Sequence, residues 1–534
     1  MKKILTYGLS LLVAATSSMS LSSCIDEAEM TQGATEEQVN ETSDSPEYFV
    51  MGIPAQLNSL WNTSYAFAWG YGAIMHIRDV QTQDIMHNDG GTGYDWFAMW
   101  EQNEAMGRDY LYNQFIWNTM YECINSTNKV FESVDSTAIT DDIRGYFAAA
   151  HAYRAMLYLD LARCYEWLPN DVTQPVSIEG NDITGLTVPI VKEGMSEEQK
   201  RNNPRATKDE MAAFILSDLN QAEQLMQYLT TTDKTLPHLD CVYGLYARYY
   251  MWLENYPEAE RYARLAIDEA STAPMTQTDC LDPITGFNDL NKWMWGLQYT
   301  ESSLQHSLMN WVAWLCNEVE YGYTAVAPVL IDAQMYSRIS NTDFRKLEWK
   351  APAGSTLDGQ NTYCDPEYGE NLADYASLKF RPNEGNTTTF LTASASAIPL
   401  MRVEEMYFIE AEAAAHQDVA RGIELLNRFM QTYRDQSYSC PASSEEDVVY
   451  EIVFQKRVEL WGEGLSFFDI KRLNYPVTRG YAGTNHIEEA RFNTTTRPAW
   501  MNYVIVRTEE DGNAGVRGYN NPDPTGLYQV WTEN

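Results

Sequence analysis

Two stretches of this chain set flat aromatic rings among short polar side chains. Asp84 to Trp100 contains Asp84, His87, Asn88, Asp89, Tyr94, Trp96 and Trp100. Residues 293–323 contain Trp293, Trp295, Tyr299, Trp311, Trp314, Tyr321 and Tyr323, and four of the fifteen tryptophans fall in these 31 residues. Exposed rings of this kind stack on apolar C–H faces, while Asp and Asn pair with surrounding hydroxyls. The chemistry on offer is therefore non-covalent capture of a ligand that presents both an apolar face and hydroxyls. The candidate stacking rings are Trp96, Trp311, Trp314 and Tyr323, with Asp84 and Asn88 as hydroxyl partners. Several of these residues also have a plainer reading. Trp311 and Trp314 are three apart, which also fits a helical core stripe. Trp293, Trp295 and Tyr299 share one strand face and fit packing on a scaffold. Asp84 equally suits a turn or a cap. Trp96 follows Gly90-Gly91-Thr92-Gly93, a flexible approach that favours exposure.

Bond-breaking chemistry finds little support. Carboxylates are abundant, but glycosidase chemistry needs two at a set separation across a cleft, which spacing alone does not supply. Seven histidines at 76, 87, 151, 238, 306, 416 and 486 form no H-E-x-x-H. No G-x-S-x-G or P-loop occurs, and Gly462-Glu463-Gly464 lacks the further glycine of a nucleotide-binding turn. No catalytic activity and no cofactor are expected. Oxygen-rich Asp358 to Glu370 offers calcium ligands without EF-hand spacing, so a structural calcium is the one metal to consider.

Loops that carry such rings need a rigid frame. From residue 47 onward the pattern is mainly helical. In Asp141 to Arg163, Phe147, Ala150, Leu157, Leu161 and Cys164 recur at helical spacings, with Asp141-Asp142 at the N-terminus and Leu168-Pro169 beyond the end. Residues 242–270 hold two stripes about an Asn255-Tyr256-Pro257 turn: Val242, Leu245, Tyr249 and Trp252, then Ala259, Tyr262, Ala263, Ala266, Ile267 and Ala270. Small residues where two helices cross resemble a tetratricopeptide repeat. Met406 to Ala413 with Ala420 to Met430 is a weaker copy, and 143–166 and 209–229 are further partners. Residues 80–100 and 275–395 read as long loops with a few short strands, such as Lys292 to Tyr299; loops of that length are usually functional.

The N-terminus gives an address. Met1-Lys2-Lys3, the apolar run Ile4 to Ser20, and Leu21-Ser22-Ser23-Cys24 make a secretory leader too short to span a bilayer. A cysteine at the cut resembles a bacterial lipobox, which implies cleavage before Cys24 and acylation of Cys24. Residues 25–46 carry seven Asp or Glu and no Lys or Arg, a flexible leash reaching roughly 25 Å. The expected organisation is a leader at 1–23, a lipidated acidic tether at 24–46, and a single domain at 47–534. The formal charge of −38 repels phosphate backbones, so nucleic acid is not an expected partner. Seven cysteines beyond Cys24, with no C-x-x-C, show neither a zinc site nor a legible disulfide framework.

Residues 452–472, I-V-F-Q-K-R-V-E-L-W-G-E-G-L-S-F-F-D-I-K-R, alternate charge among bulky apolar residues, which points to a partly buried ion-pair network. The stretch resembles a signature of the SusD/RagB family of outer-membrane glycan-binding lipoproteins. Gln455-Lys456 replaces an opening acid–Arg pair, and Leu465-Ser466 replaces a middle Arg. Pro399 to Ala413 and Ala152 to Pro169 resemble two further family stretches, with Glu166 where a glycine is usual. The resemblance implies a SusD-like, mainly α scaffold with about four helix pairs and a loop-rich face. It implies glycan capture without bond chemistry, with ligand aromatics in loops near the two aromatic stretches. It further implies an outer-membrane, lipid-anchored position facing the cell exterior, and a SusC-like TonB-dependent transporter barrel as partner. The alternative within the family is a RagB-type peptide-binding lid of an oligopeptide transporter. The signature itself reads as architecture, not as a ligand site.

Overall fold

The computed structural model describes residues 45–62, 64–134, 139–284 and 286–533. The leader, Cys24 and nearly all of the expected tether lie outside the described residues. Leaving aside short helices of four to six residues and 3-10 turns, the helices, with the one-turn α8 that bears on the site, are α1 (Ser45–Leu57), α2 (Gly70–Val80), α3 (Leu111–Glu132), α4 (Asp141–Tyr165), α5 (Lys208–Leu225), α6 (Leu239–Trp252), α7 (Tyr256–Glu269), α8 (Trp311–Leu315), α9 (Val403–Ala415), α10 (Val419–Tyr433), α11 (Glu445–Glu459) and α12 (Ser466–Arg472). Between them run β1 (Ile85–His87), β2 (Trp295–Gln298), β3 (Val329–Ile331) and β4 (Ala397–Met401). α1 begins two residues before position 47, inside the expected tether.

Helices pack mainly with neighbours in the chain: α1 on α3, α4 on α5, α6 on α7, and α9 on α10, with α7 against α9 continuing the stack. This is the mainly α, helix-pair scaffold that the periodicity predicts. Local chemistry starts the helices where they start. Thr140 caps α4 by accepting the Ile143 N–H, and Thr207 and Glu210 form a reciprocal capping box on α5. Pro257 lies in the first turn of α7, where no N–H is needed. At the α6–α7 crossing, buried Ala247, Ala259, Ala263 and Ala266 let the backbones approach. Tyr262 stacks on Tyr246 at 4.2 Å and 12°, a contact worth about 0.5–1.5 kcal/mol beyond burial. α4 is buried on nearly every side, as its run of alanines allows.

The charged signature is architecture. Glu459, at the end of α11, and Glu463, in the turn to α12, receive Arg345, Lys379, Arg402 and Arg434. Asp343 and Glu404 complete a set of four cations and four carboxylates. The replaced pair Gln455-Lys456 stays within such contacts. Gln455 Oε1 accepts from Arg345 at 2.6 Å, and Lys456 pairs with Asp469 at 2.9 Å. Gly464 has φ +73°, and a Cβ there would sit 2.7 Å from Met75 Cα, so the turn needs glycine on both counts. Glu166, by contrast, closes α4 at φ −58° and ψ 122°, which requires no glycine, and its carboxylate accepts the Trp252 indole N–H at 2.9 Å.

Strands are short and join distant loops. β1 pairs antiparallel with β3, Ile85 opposite Ile331 and His87 opposite Val329. β2 pairs antiparallel with β4, Leu297 opposite Ile398. The expected strand at Lys292 to Tyr299 therefore narrows to 295–298, and Trp293, Trp295 and Tyr299 are core residues. The cysteines among the described residues are free thiols, and no helix there is long and apolar enough to cross a membrane.

Candidate functional site

The six residues proposed from sequence separate into two groups. Trp311, Trp314 and Tyr323 are 0% exposed and Asp84 is 2% exposed, so none of them meets a ligand at the surface. Asn88 is exposed and Trp96 is half-buried. The correction has a physical basis. Trp311 and Trp314 lie on the single turn of α8, which is buried from end to end, and Trp311 packs edge-on against Phe380 at 5.3 Å. Asp84 is the buried partner of Arg457 in the charged signature, which takes both its carboxylate oxygens, and its backbone carbonyl accepts the Trp461 N–H at 2.9 Å.

Two of the buried rings hold the loops that carry exposed ones. Tyr323 Oη donates to Asp95 Oδ1 at 2.6 Å and accepts the backbone N–H groups of Trp96 and Phe97. Burial first, and then the neighbouring Asp95 charge, hold its phenol protonated well above the usual range. Trp314 Nε1 donates to the Ala66 carbonyl at 2.9 Å, between Tyr65 and Phe67. Behind the 88–96 loop, His76 Nε2 and His87 Nε2 lie 2.7 Å apart. Burial pushes both imidazoles below their usual range, so the pair is uncharged at neutral pH. The loop is also tied to itself: Asp89 accepts the Gly91 and Tyr94 N–H groups at 2.9 and 2.8 Å, and Asn88 accepts the Gly90 N–H at 3.0 Å.

The partly exposed rings form a shelf at these pinned loops. Trp96 meets Tyr65 edge-on at 5.9 Å and 80°. Tyr65 and Tyr112 both pack on buried Phe67, at 5.6 and 5.2 Å, and Trp61 lies 5.7 Å from Phe115. Trp61, Tyr65, Trp96 and Tyr112 are each half-buried; exposed Asn88 lies in the loop that carries Trp96, and exposed Glu104 lies in the loop that leads into α3. The Tyr112 phenol is pushed up by burial first and then by Tyr65 and Glu104, which places these oxygens within electrostatic reach of one another. Flat rings with hydroxyl and carboxylate oxygens between them suit a sugar face and its equatorial hydroxyls. Trp61, Tyr65 and Tyr112 were missed in the sequence because they lie outside both aromatic stretches. The density of rings in Trp61-Asn62-Thr63-Ser64-Tyr65-Ala66-Phe67-Ala68-Trp69 was the available signal.

The 350–374 loops form a second surface cavity of about 680 Å³, lined by Lys350, Asp358, Asn361, Tyr363, Glu370 and Asp374. It offers polar groups and one ring. Among the described residues, no three His, Cys, Asp or Glu side chains gather into a metal-binding group.

A family model described as starch-binding and associating with the outer membrane matches residues 37–251, and the SusD family model matches residues 340–524. The chain belongs to the SusD/RagB family. It shares its fold with a SusD-like carbohydrate binding protein from Bacteroides vulgatus, at TM-score 0.69 and 23% identity over 89% of this chain and 98% of that one. A putative sugar binding protein from the same organism gives 0.67 and 19% over 90% and 98%. A SusD superfamily protein from Bacteroides thetaiotaomicron gives 0.67 and 17% over 90% and 99%. No curated protein matches the chain.

Proposed function

We infer that this protein binds an oligo- or polysaccharide at the outer membrane without cleaving it. In this reading acylated Cys24 anchors it to the cell exterior, and the captured glycan passes to a SusC-like TonB-dependent transporter barrel. The observation that carries the reading is the group of partly exposed rings: Trp61, Tyr65 and Trp96 on loops pinned from behind by Trp314 and Tyr323, and Tyr112 in the first turn of α3. Partly exposed rings on pinned loops lose little conformational entropy on binding, so stacking contributes most of its energy to affinity. The starch-binding family model makes starch the first ligand to try, and two fold relatives described as carbohydrate and sugar binding proteins support the class.

The test is affinity gel electrophoresis of the purified protein against starch and a panel of other polysaccharides. At least one polysaccharide should retard the wild type, and the Tyr65→Ala/Trp96→Ala double variant should run free with an unchanged melting temperature. Retardation that survives the double substitution refutes the shelf. Retention should be indifferent to salt, because neutral hydroxyls carry it. Failure of every glycan, together with salt-sensitive capture of peptides, would favour the RagB-type alternative.

A further inference from the structure

A cavity of about 220 Å³ lies among the C-terminal ends of α4 and α6, the middle of α9, and α12, and it shares no residue with the aromatic shelf. Seven cationic side chains line it against four carboxylates, in a chain whose formal charge is −38. Three carboxylates are already committed. Glu405 pairs with Arg248 at 2.6 Å, Glu166 with Lys208 at 3.0 Å, and Asp469 with Lys456 at 2.9 Å. The fourth, Glu254, is exposed. Arg163 and Arg472 lean on Asp160 and Glu412 behind the wall, yet Arg163 Nε and Arg472 Nη1 are buried with no hydrogen-bond partner.

That leaves Lys471 and Arg497 with no carboxylate within ion-pair distance among the described residues, Glu254 and Glu166 acting on Arg497 only from farther off. Lys471 is 2% exposed, and its ammonium donates to the carbonyls of Cys164 and Glu166, both at 2.8 Å. Arg497 Nε donates to Asn474 Oδ1 at 2.8 Å. Buried cations with spare N–H groups stabilise an anion in a way that exposed ones do not, because water no longer competes. Trp252 and Phe468 give the same cavity two apolar ring walls.

The geometry points to a binding site for a compact oxyanion group (carboxylate, sulfate or phosphate) carried by a small molecule, held by Lys471, Arg497 and the spare N–H groups of Arg163 and Arg472. The site stands apart from the glycan shelf and does not depend on it. Protonation supports it. Burial pushes the Lys471 ammonium down to about 7, Arg497 and Arg205 adding to the effect while Cys164 and Glu166 oppose it. An anion alongside restores the proton, so binding takes up a proton near neutrality and weakens as pH rises through 7.

The experiment is calorimetric titration of the whole protein with inorganic sulfate, inorganic phosphate, glucuronate and neutral glucose, at fixed ionic strength in chloride. At least one anion should bind, glucose should not compete for it, and affinity should fall at least threefold between pH 6.5 and 8.5. Arg497→Gln should weaken binding tenfold or more, while Arg497→Lys, which keeps the charge, should stay within about threefold. Glucuronate binding tighter than sulfate and phosphate would assign the site to an acidic sugar; the reverse order would assign it to the free oxyanion. No anion response above chloride, or undiminished binding by a folded Arg497→Gln variant, overturns the proposal.

Discussion

Replacing Glu459 by glutamine should weaken the folded state out of proportion to a one-atom change. Its carboxylate accepts Arg434 Nε at 2.7 Å and Nη2 at 2.8 Å, Arg402 Nη1 at 3.1 Å and Arg345 Nη1 at 3.2 Å. These groups join the end of α11 to the residue before α9, the residue after α10 and the 343–345 segment. Four cations there meet four carboxylates in ion-pair range, with the buried Glu348 carboxyl, pushed up to about 7 by burial, beside them, so Glu459→Gln removes the carboxylate on which three of the cations converge. The amide also turns N–H donors toward guanidinium donors. Breaking a buried pair in this way costs about 3–5 kcal/mol. The control is Glu258→Gln, which removes an exposed one-turn pair with Arg261 at 2.7 Å and should cost about 0.3–0.5 kcal/mol. Urea unfolding at pH 7, followed in parallel by tryptophan fluorescence and far-ultraviolet circular dichroism, reads both and checks that the two probes coincide. Equal midpoint shifts for the two variants would refute the view that the signature clamps the helical frame.

Acid should act on the same network. Burial alone would raise the Glu459 carboxyl, but Arg434, then Arg402 and Arg345, hold it well below the usual range. Asp160 is likewise lowered to about 2, where Arg78 and Arg163 outweigh burial. Groups lowered by folding bind fewer protons in the native state, so their contribution is complete above about pH 4.5 and is lost as pH falls toward 2. Melting temperatures measured from pH 7 to 3 should drop steeply below pH 4, and Glu459→Gln should flatten that drop; an equally steep limb in the variant would contradict the assignment. Trp314→Ala should cost roughly 3–5 kcal/mol as a core truncation, whereas Trp96→Ala should barely change stability. Thermal unfolding of the two variants distinguishes an anchor from a shelf ring, and comparable losses would show that Trp96 belongs to the core.

Much of the scaffold was legible because helical period and small-residue crossings are local properties. The stripes at Val242 to Ala270, the Asp141-Asp142 pair that opens α4, and the proline in the first turn of α7 each act within a few residues of themselves. The charged signature was legible as architecture for a similar reason: dense alternating charge beside Leu460, Trp461 and Phe467 has few solutions other than buried pairing. Which ring faces water was a different matter. Trp96 and Trp314 are the same residue type in loops of similar composition, and either could stack on a sugar. The difference arises because α8 is covered on all sides by segments far away in sequence, the Trp314 indole reaching 248 residues back to Ala66. Tyr323 is buried because its hydroxyl, more than 200 residues along the chain from its partners, closes on Asp95 and the Trp96 backbone. Asp84 went to Arg457 by a contact spanning 373 residues. Composition and periodicity determined the helical frame and the residue types available for binding. The exposure of each ring, and the excess of buried cations around Lys471, came from long-range contacts that neither property encodes.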